Sequence, residues 1–128
     1  MDSADNKKKI LMVDDDEIQL SVAQAVLKAD YDVIAVESGK KALEQLYNGF
    51  IPDIILLDIL MPEMDGFEVY NRIRAISLLQ DIPIAFLTSV GGKDDIQQAQ
   101  EIGAADYIMK PYSKEDLLFR LKNIIKNR

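Results

Sequence analysis

Short, almost wholly apolar runs punctuate the chain at 10–13 (ILMV), 33–36 (VIAV), 53–57 (DIILL), 84–87 (IAFL) and 107–109 (YIM). They are too short for core helices and rich in branched side chains, which predicts five strands. Between and after them lie longer segments, 17–29, 40–47, 66–76, 94–102 and 114–126, whose apolar residues recur at helical spacing. Strict strand–helix alternation predicts an α/β fold in which helices cover both faces of a parallel sheet. ILMV and IILL have no polar alternation at all, as strands buried on both faces require.

The boundaries carry matching signals. Asp65 precedes Gly66-Phe67-Glu68, Ser113 precedes Lys114-Glu115-Asp116, and Ser38 precedes Gly39-Lys40-Lys41, so each is placed to cap a helix. Gly103 sits where the fourth helix should end. Pro52, Pro83 and Pro111 fall at or near strand boundaries, where a missing N–H does little harm. No linker, repeat or low-complexity tract interrupts the pattern. One domain over 7–128 is expected, after a flexible polar N-terminus at 1–6.

Composition narrows the chemistry. The chain has 128 residues, 48% of them hydrophobic, and 15 basic against 22 acidic residues give a formal charge of −7. That balance predicts no direct nucleic-acid binding and no attraction to anionic membranes. No apolar run approaches the ~20 residues of a membrane span, and the start MDSADNKKK is not a secretory signal. A cytoplasmic protein is expected. Cysteine and histidine are both absent, so thiolate sites and the usual neutral-pH base are excluded. Carboxylates, Lys, Ser/Thr, Tyr and a hard cation remain.

In a parallel sheet the residues just past the strands gather along one edge, where ligand sites form at a topological switch point. Asp14 and Asp15 follow the first strand, Asp58 the third, Thr88 the fourth and Lys110 the fifth. Clustered carboxylates raise one another's pKa unless a cation intervenes. Mg²⁺ takes oxygen ligands, keeps several waters and needs only one or two carboxylates plus a phosphate oxygen. With an ammonium and a hydroxyl nearby, the set suits phosphoryl transfer, in which a carboxylate itself serves as nucleophile. Asp16 has a plainer reading: in Asp-x-x-Gln it caps the first helix, and Glu17 adds charge to the first turn. Taken singly, Thr88, Lys110 and Tyr107 are an ordinary strand-end residue, surface lysine and core aromatic.

Four motifs occur in order at fixed spacings: ILMVDDD, IILLDILMPEMDG, FLTS and DYIMKP. On these the chain, from Ile10 to about Ile125, resembles a response regulator receiver domain, the phosphoacceptor of two-component signalling. The resemblance implies a doubly wound (βα)5 sandwich of the flavodoxin-like class with strand order 2-1-3-4-5. It implies phosphorylation of Asp58 by the phosphohistidine of a histidine kinase or phosphotransfer protein. Asp14, Asp15, Asp58 and the Leu60 backbone carbonyl would hold Mg²⁺ (or Mn²⁺). Thr88 would bond a phosphoryl oxygen, Lys110 would pair with it, Tyr107 would switch inward, and Lys110-Pro111 would be cis. Such a protein is no enzyme beyond its own phosphorylation and dephosphorylation.

Two rival chemistries fail on single residues. A calcium loop starting at Asp14 needs Gly at its sixth position, which is Gln19. A haloacid-dehalogenase-like phosphatase expects a second Asp two residues beyond its nucleophile, which here is Leu60. An unphosphorylated receiver-like interaction module usually lacks a rim residue, and none is missing here. Leu60 and Val90, two residues beyond Asp58 and Thr88, are apolar where attacking water would pass, so slow dephosphorylation is expected. The face of the fourth helix, fifth strand and fifth helix is the expected contact for a downstream protein or a second copy. In that last helix Leu117, Leu121, Ile124 and Ile125 make one apolar stripe, with Phe119 nearly opposite. The end at Arg128 fits either a stand-alone receiver or part of a longer chain.

Overall fold

The computed structural model describes residues 7–89 and 91–127. The expected flexible stretch up to Asn6, and Val90, lie outside the described residues. Strands β1 (Lys8–Val13), β2 (Tyr31–Val36), β3 (Ile54–Leu57), β4 (Ile84–Thr88) and β5 (Asp106–Met109) alternate with helices α1 (Glu17–Leu27), α2 (Gly39–Tyr47), α3 (Gly66–Arg74), α4 (Lys93–Glu101) and α5 (Lys114–Lys126). A short 3-10 turn, Ser77–Leu79, joins α3 to β4. All strand pairs are parallel and the order is β2-β1-β3-β4-β5. The doubly wound α/β class with order 2-1-3-4-5 is therefore correct.

Alternation along the strands divides the core. Leu11, Val13, Ile55, Leu57, Ile84 and Phe86 point to one face, under residues of α2, α3 and α4. Ile10, Met12, Ile54, Leu56, Ala85 and Leu87 point to the other, under Leu20, Ala23 and Leu27 of α1 and Leu117 and Leu121 of α5. Two buried faces explain why these runs carry no polar residue. From β1 the chain builds β2 on one side, then crosses to β3 on the other. The carboxyl ends of β1 and β3 thus flank the crevice where a doubly wound sheet offers a ligand site.

Several boundaries shift where pairing decides them. Strand β2 begins at Tyr31 rather than 33 because Lys8 and Lys9 of β1 pair with Tyr31 and Asp32. The caps at Asp16, Ser38, Asp65 and Ser113 all form. The reciprocal half of two capping boxes does not. Glu68 binds Arg72 instead of turning back to Asp65, and the Asp16 N–H donates to Asp14 Oδ1 at 3.0 Å, not to Gln19. That second departure matters at the site.

Candidate functional site

The backbone first brings two strand ends together. The Asp58 N–H donates to the Val13 carbonyl at 2.9 Å, and the Asp14 N–H to the Val36 carbonyl at 3.1 Å. Both acidic residues are thus held by the continuing ladder, not by mobile loop. On the other flank the Lys110 N–H donates to the Thr88 carbonyl at 2.9 Å, and a cis peptide joins Lys110 to Pro111, as expected.

The side chains converge accordingly. Asp14, Asp15 and Asp58 each present one carboxylate oxygen within 4.8 Å of the others. Asp14 and Asp58 are buried, 6% and 8% exposed, whereas Asp15 faces solvent. Lys110 Nζ donates to Asp14 Oδ2 at 2.5 Å and lies 3.8 Å from Asp58 Oδ2. Among the described residues, one ammonium, that of Lys110, thus serves both buried carboxylates. Asp58 Oδ1 accepts the Ile59 N–H at 2.7 Å, and its carboxylate also bonds the buried Thr88 hydroxyl.

Burial pushes the Asp58 carboxyl above its ordinary pKa of 3.8. The Thr88 hydrogen bond, the Lys110 charge and the Ile59 N–H pull it back down, and Asp14 pushes it further up. The upward causes win because a largely desolvated carboxylate next to another needs more than one ammonium to balance it. A hard divalent cation answers that imbalance. With every pair of the three oxygens within 4.8 Å, side-chain adjustment would bring them onto one small cation. The donor set, all oxygen and anionic, fits such an ion and could hold a metal.

Tyr107 is half-buried and packs on the α3 side of the core, its ring 6.3 Å from that of Phe86. Burial, with Asp95 and Asp58, pushes its phenol up. Leu60 is 63% exposed beside Asp58, and its expected companion Val90 lies outside the described residues. A hollow of about 640 Å³ lies elsewhere, beside Phe119 and Arg120 of α5. The acidic site lies at the carboxyl edge of the sheet, just past β1 and β3.

Two positioning residues escaped the sequence reading. A Cβ at Gly66 would collide with the Asp58 carbonyl and Ile59 Cα, and the Gly66 N–H donates to the Ile59 carbonyl at 2.8 Å. Helix α3 therefore starts directly against the loop carrying Asp58. Its one signal was the glycine itself: directly after a helix cap, Gly is a poor helix former unless something approaches closely. Asp16, read only as a cap, also donates its N–H to Asp14 and so links the first helix to the acidic cluster.

This is a doubly wound α/β protein with an acidic site at its β1–β3 switch point, and comparison with known proteins supplies the family. The family model "Response regulator receiver domain" matches residues 10–122, so the chain belongs to the response regulator receiver domains. Chemotaxis protein CheY4 of Vibrio cholerae is similar in structure, with 30% identity, a TM-score of 0.86, and 92% of this chain and 98% of that one covered. A putative response regulator from Chloroflexus aurantiacus shows 36% identity and a TM-score of 0.86 over 94% and 98%. The phosphate regulon transcriptional regulatory protein PhoB of Pseudomonas aeruginosa is 38% identical across 93% of this chain but only 52% of its own length. The chain spans about half the length of most of the curated relatives it matches. No helix among the described residues is long and apolar enough to cross a membrane.

Proposed function

We propose that this receiver domain accepts a phosphoryl group on the Asp58 carboxylate from the phosphohistidine of a histidine kinase or phosphotransfer protein. The P–N bond of the donor breaks, a P–O bond to Asp58 forms, and the donor imidazole takes up a proton. The supporting observation is the convergence of buried Asp58 with Asp14, Asp15 and Lys110 on one rim. Asp14, Asp15, Asp58 and the Leu60 carbonyl hold Mg²⁺, or Mn²⁺ in its place. When bound, the cation neutralises the charge of the transferring group. Thr88, already bonded to Asp58, turns its hydroxyl to a phosphoryl oxygen, and Lys110 pairs with another. Tyr107 packs inward as Thr88 moves.

Outside the cell, acetyl phosphate with Mg²⁺ serves as donor. The intact mass should rise by one phosphoryl group in wild type and not in Asp58→Asn. A wild-type mass that never changes would instead support an unphosphorylated interaction module. The chain's own chemistry is confined to gaining and losing this group, in the cytoplasm.

The exposed Leu60 side chain screens the approach of water to the phosphoryl group. Leu60→Asn should shorten the phosphoryl lifetime several-fold, read as the decay of the added mass after donor removal. An unchanged lifetime would remove Leu60 from that role.

The face formed by α4, β5 and α5 receives a downstream protein or a second copy. Arg120 ties the α5 part of it to β5 through two bonds to Asp106, at 3.0 and 2.9 Å. Phe119, 65% exposed, lines the hollow together with the apolar Pro83, Ala105 and Ile124. Phe119→Ala should weaken association about tenfold without lowering the unfolding midpoint, as loss of an interface aromatic does. Sedimentation of the phosphorylated protein at several concentrations, or titration with a partner, reads the first effect and thermal melting the second.

A further inference from the structure

Helix α4 is held unevenly. Among the described residues its only fully buried side chain is Ala99. Its N-cap, Gly92, has no side-chain cap bond, unlike the starts of the other four α-helices. Its C-terminal end is tied down. The Tyr70 hydroxyl of α3 donates to the carbonyl of Ile102, the C-cap of α4, at 2.9 Å.

Tyr70 is fixed before it reaches that carbonyl. Its buried ring packs on that of Phe86 of β4, with centroids 6.0 Å apart and planes inclined by 28°. The Arg74 guanidinium sits over the ring, 4.9 Å from its centre, and is itself held by the Leu79 carbonyl at 3.0 Å. A ring packed this way loses little further freedom when its hydroxyl bonds, so the bond is preorganised. The next two amides close the helix end: Gly103, at φ +88°, donates to Gln100, and Ala104 donates to Ala99.

We propose that Tyr70 is the tether that makes the C-terminal end of α4 a fixed pivot. Helix α3 starts against the Asp58 loop through Gly66 and ends its reach at Ile102 through Tyr70. Rearrangement at Asp58 and Thr88 then swings the lightly held N-terminal half of α4 while the Ile102 end stays in place. The swing rests on the phosphoacceptor reading above, whereas the tether itself is present in the unmodified protein.

Amide hydrogen exchange on the whole chain separates the two. In unmodified Tyr70→Phe, which keeps the ring and loses the hydroxyl, the amides of Ile102, Gly103 and Ala104 should exchange about fivefold faster, matching one net hydrogen bond of about 1 kcal/mol. Core amides of β1 and β3 should not change. No acceleration at the helix end, or an equal acceleration everywhere, would overturn the tether. With acetyl phosphate and Mg²⁺, and phosphorylation checked by mass, wild-type exchange should change at 93–97 and stay constant at 102–104. In Tyr70→Phe the change should spread through 104. A wild-type change running evenly to 104 overturns the pivot. An absent mass gain overturns the phosphoacceptor reading instead, and the comparison of unmodified proteins still decides the tether.

Discussion

Replacing Gly66 with alanine should destabilise the fold by about 2 kcal/mol and slow phosphorylation by acetyl phosphate about 100-fold. On an open helix surface the same change would have the opposite sign, because alanine is a better helix former than glycine by about 1 kcal/mol. Here the added methyl meets backbone, not a flexible side chain: the carbonyl of Asp58 and the Cα of Ile59. Neither can step aside alone. The Asp58 N–H is bonded to Val13, and Ile59 is bonded to Gly66 through its carbonyl and to Asp58 Oδ1 through its N–H. Overpacking of this kind costs about 1–3 kcal/mol. The displaced backbone is the one that carries the proposed nucleophile, the Asp58 carboxylate, and a misplacement of about 1 Å is worth about 100-fold in rate. Denaturant unfolding gives the stability, and the growth of the phosphorylated mass gives the rate. A Gly66→Ala protein as stable as wild type and phosphorylated as fast would show that α3 does not position Asp58.

The fold and the rim residues were legible in the sequence for the same reason. ILMV and IILL, alternating with helical segments, fit doubly buried parallel strands, and once strands are parallel their exits share an edge. Asp14, Asp58, Thr88 and Lys110 are then neighbours whatever the loops do. What stayed hidden depends on tertiary approach. Whether Gln19 or Asp14 engages the Asp16 N–H is a competition between two local partners, and a capping pattern names only one of them. Tyr70 reads as one more apolar position on α3, and nothing local says that its hydroxyl will reach a carbonyl 32 residues away. Lys110 was placed correctly, but its choice of Asp14 over Asp58 follows from side-chain geometry across two strand ends.

The same imbalance of charge predicts that Asp58→Asn will be more stable than wild type when no divalent cation is present. The native carboxyl of Asp58 titrates above its ordinary value, chiefly because it is buried. Between the two values the native state binds more protons than the unfolded state, so stability falls as pH rises through that window. Above the window the full penalty of the charged group is in place. The partners that favour the carboxylate, Thr88, Lys110 and the Ile59 N–H, offset only part of it. Asparagine keeps an oxygen for the Ile59 N–H and carries no charge, so the variant should lack this pH-dependent loss. At neutral pH its unfolding midpoint should lie a few degrees above wild type, at about 4 °C per kcal/mol for a chain of this size. Mg²⁺ should then narrow or reverse the gap. A cation present at 100 times its dissociation constant adds about 2.7 kcal/mol to the form that binds it, and wild type, with all three carboxylates, binds it better. Thermal melts of both proteins from pH 4 to pH 8, with EDTA or with Mg²⁺, test each step. Equal midpoints at neutral pH in EDTA, or parallel pH profiles, would show that Asp58 is not a charged group held at a cost to the fold.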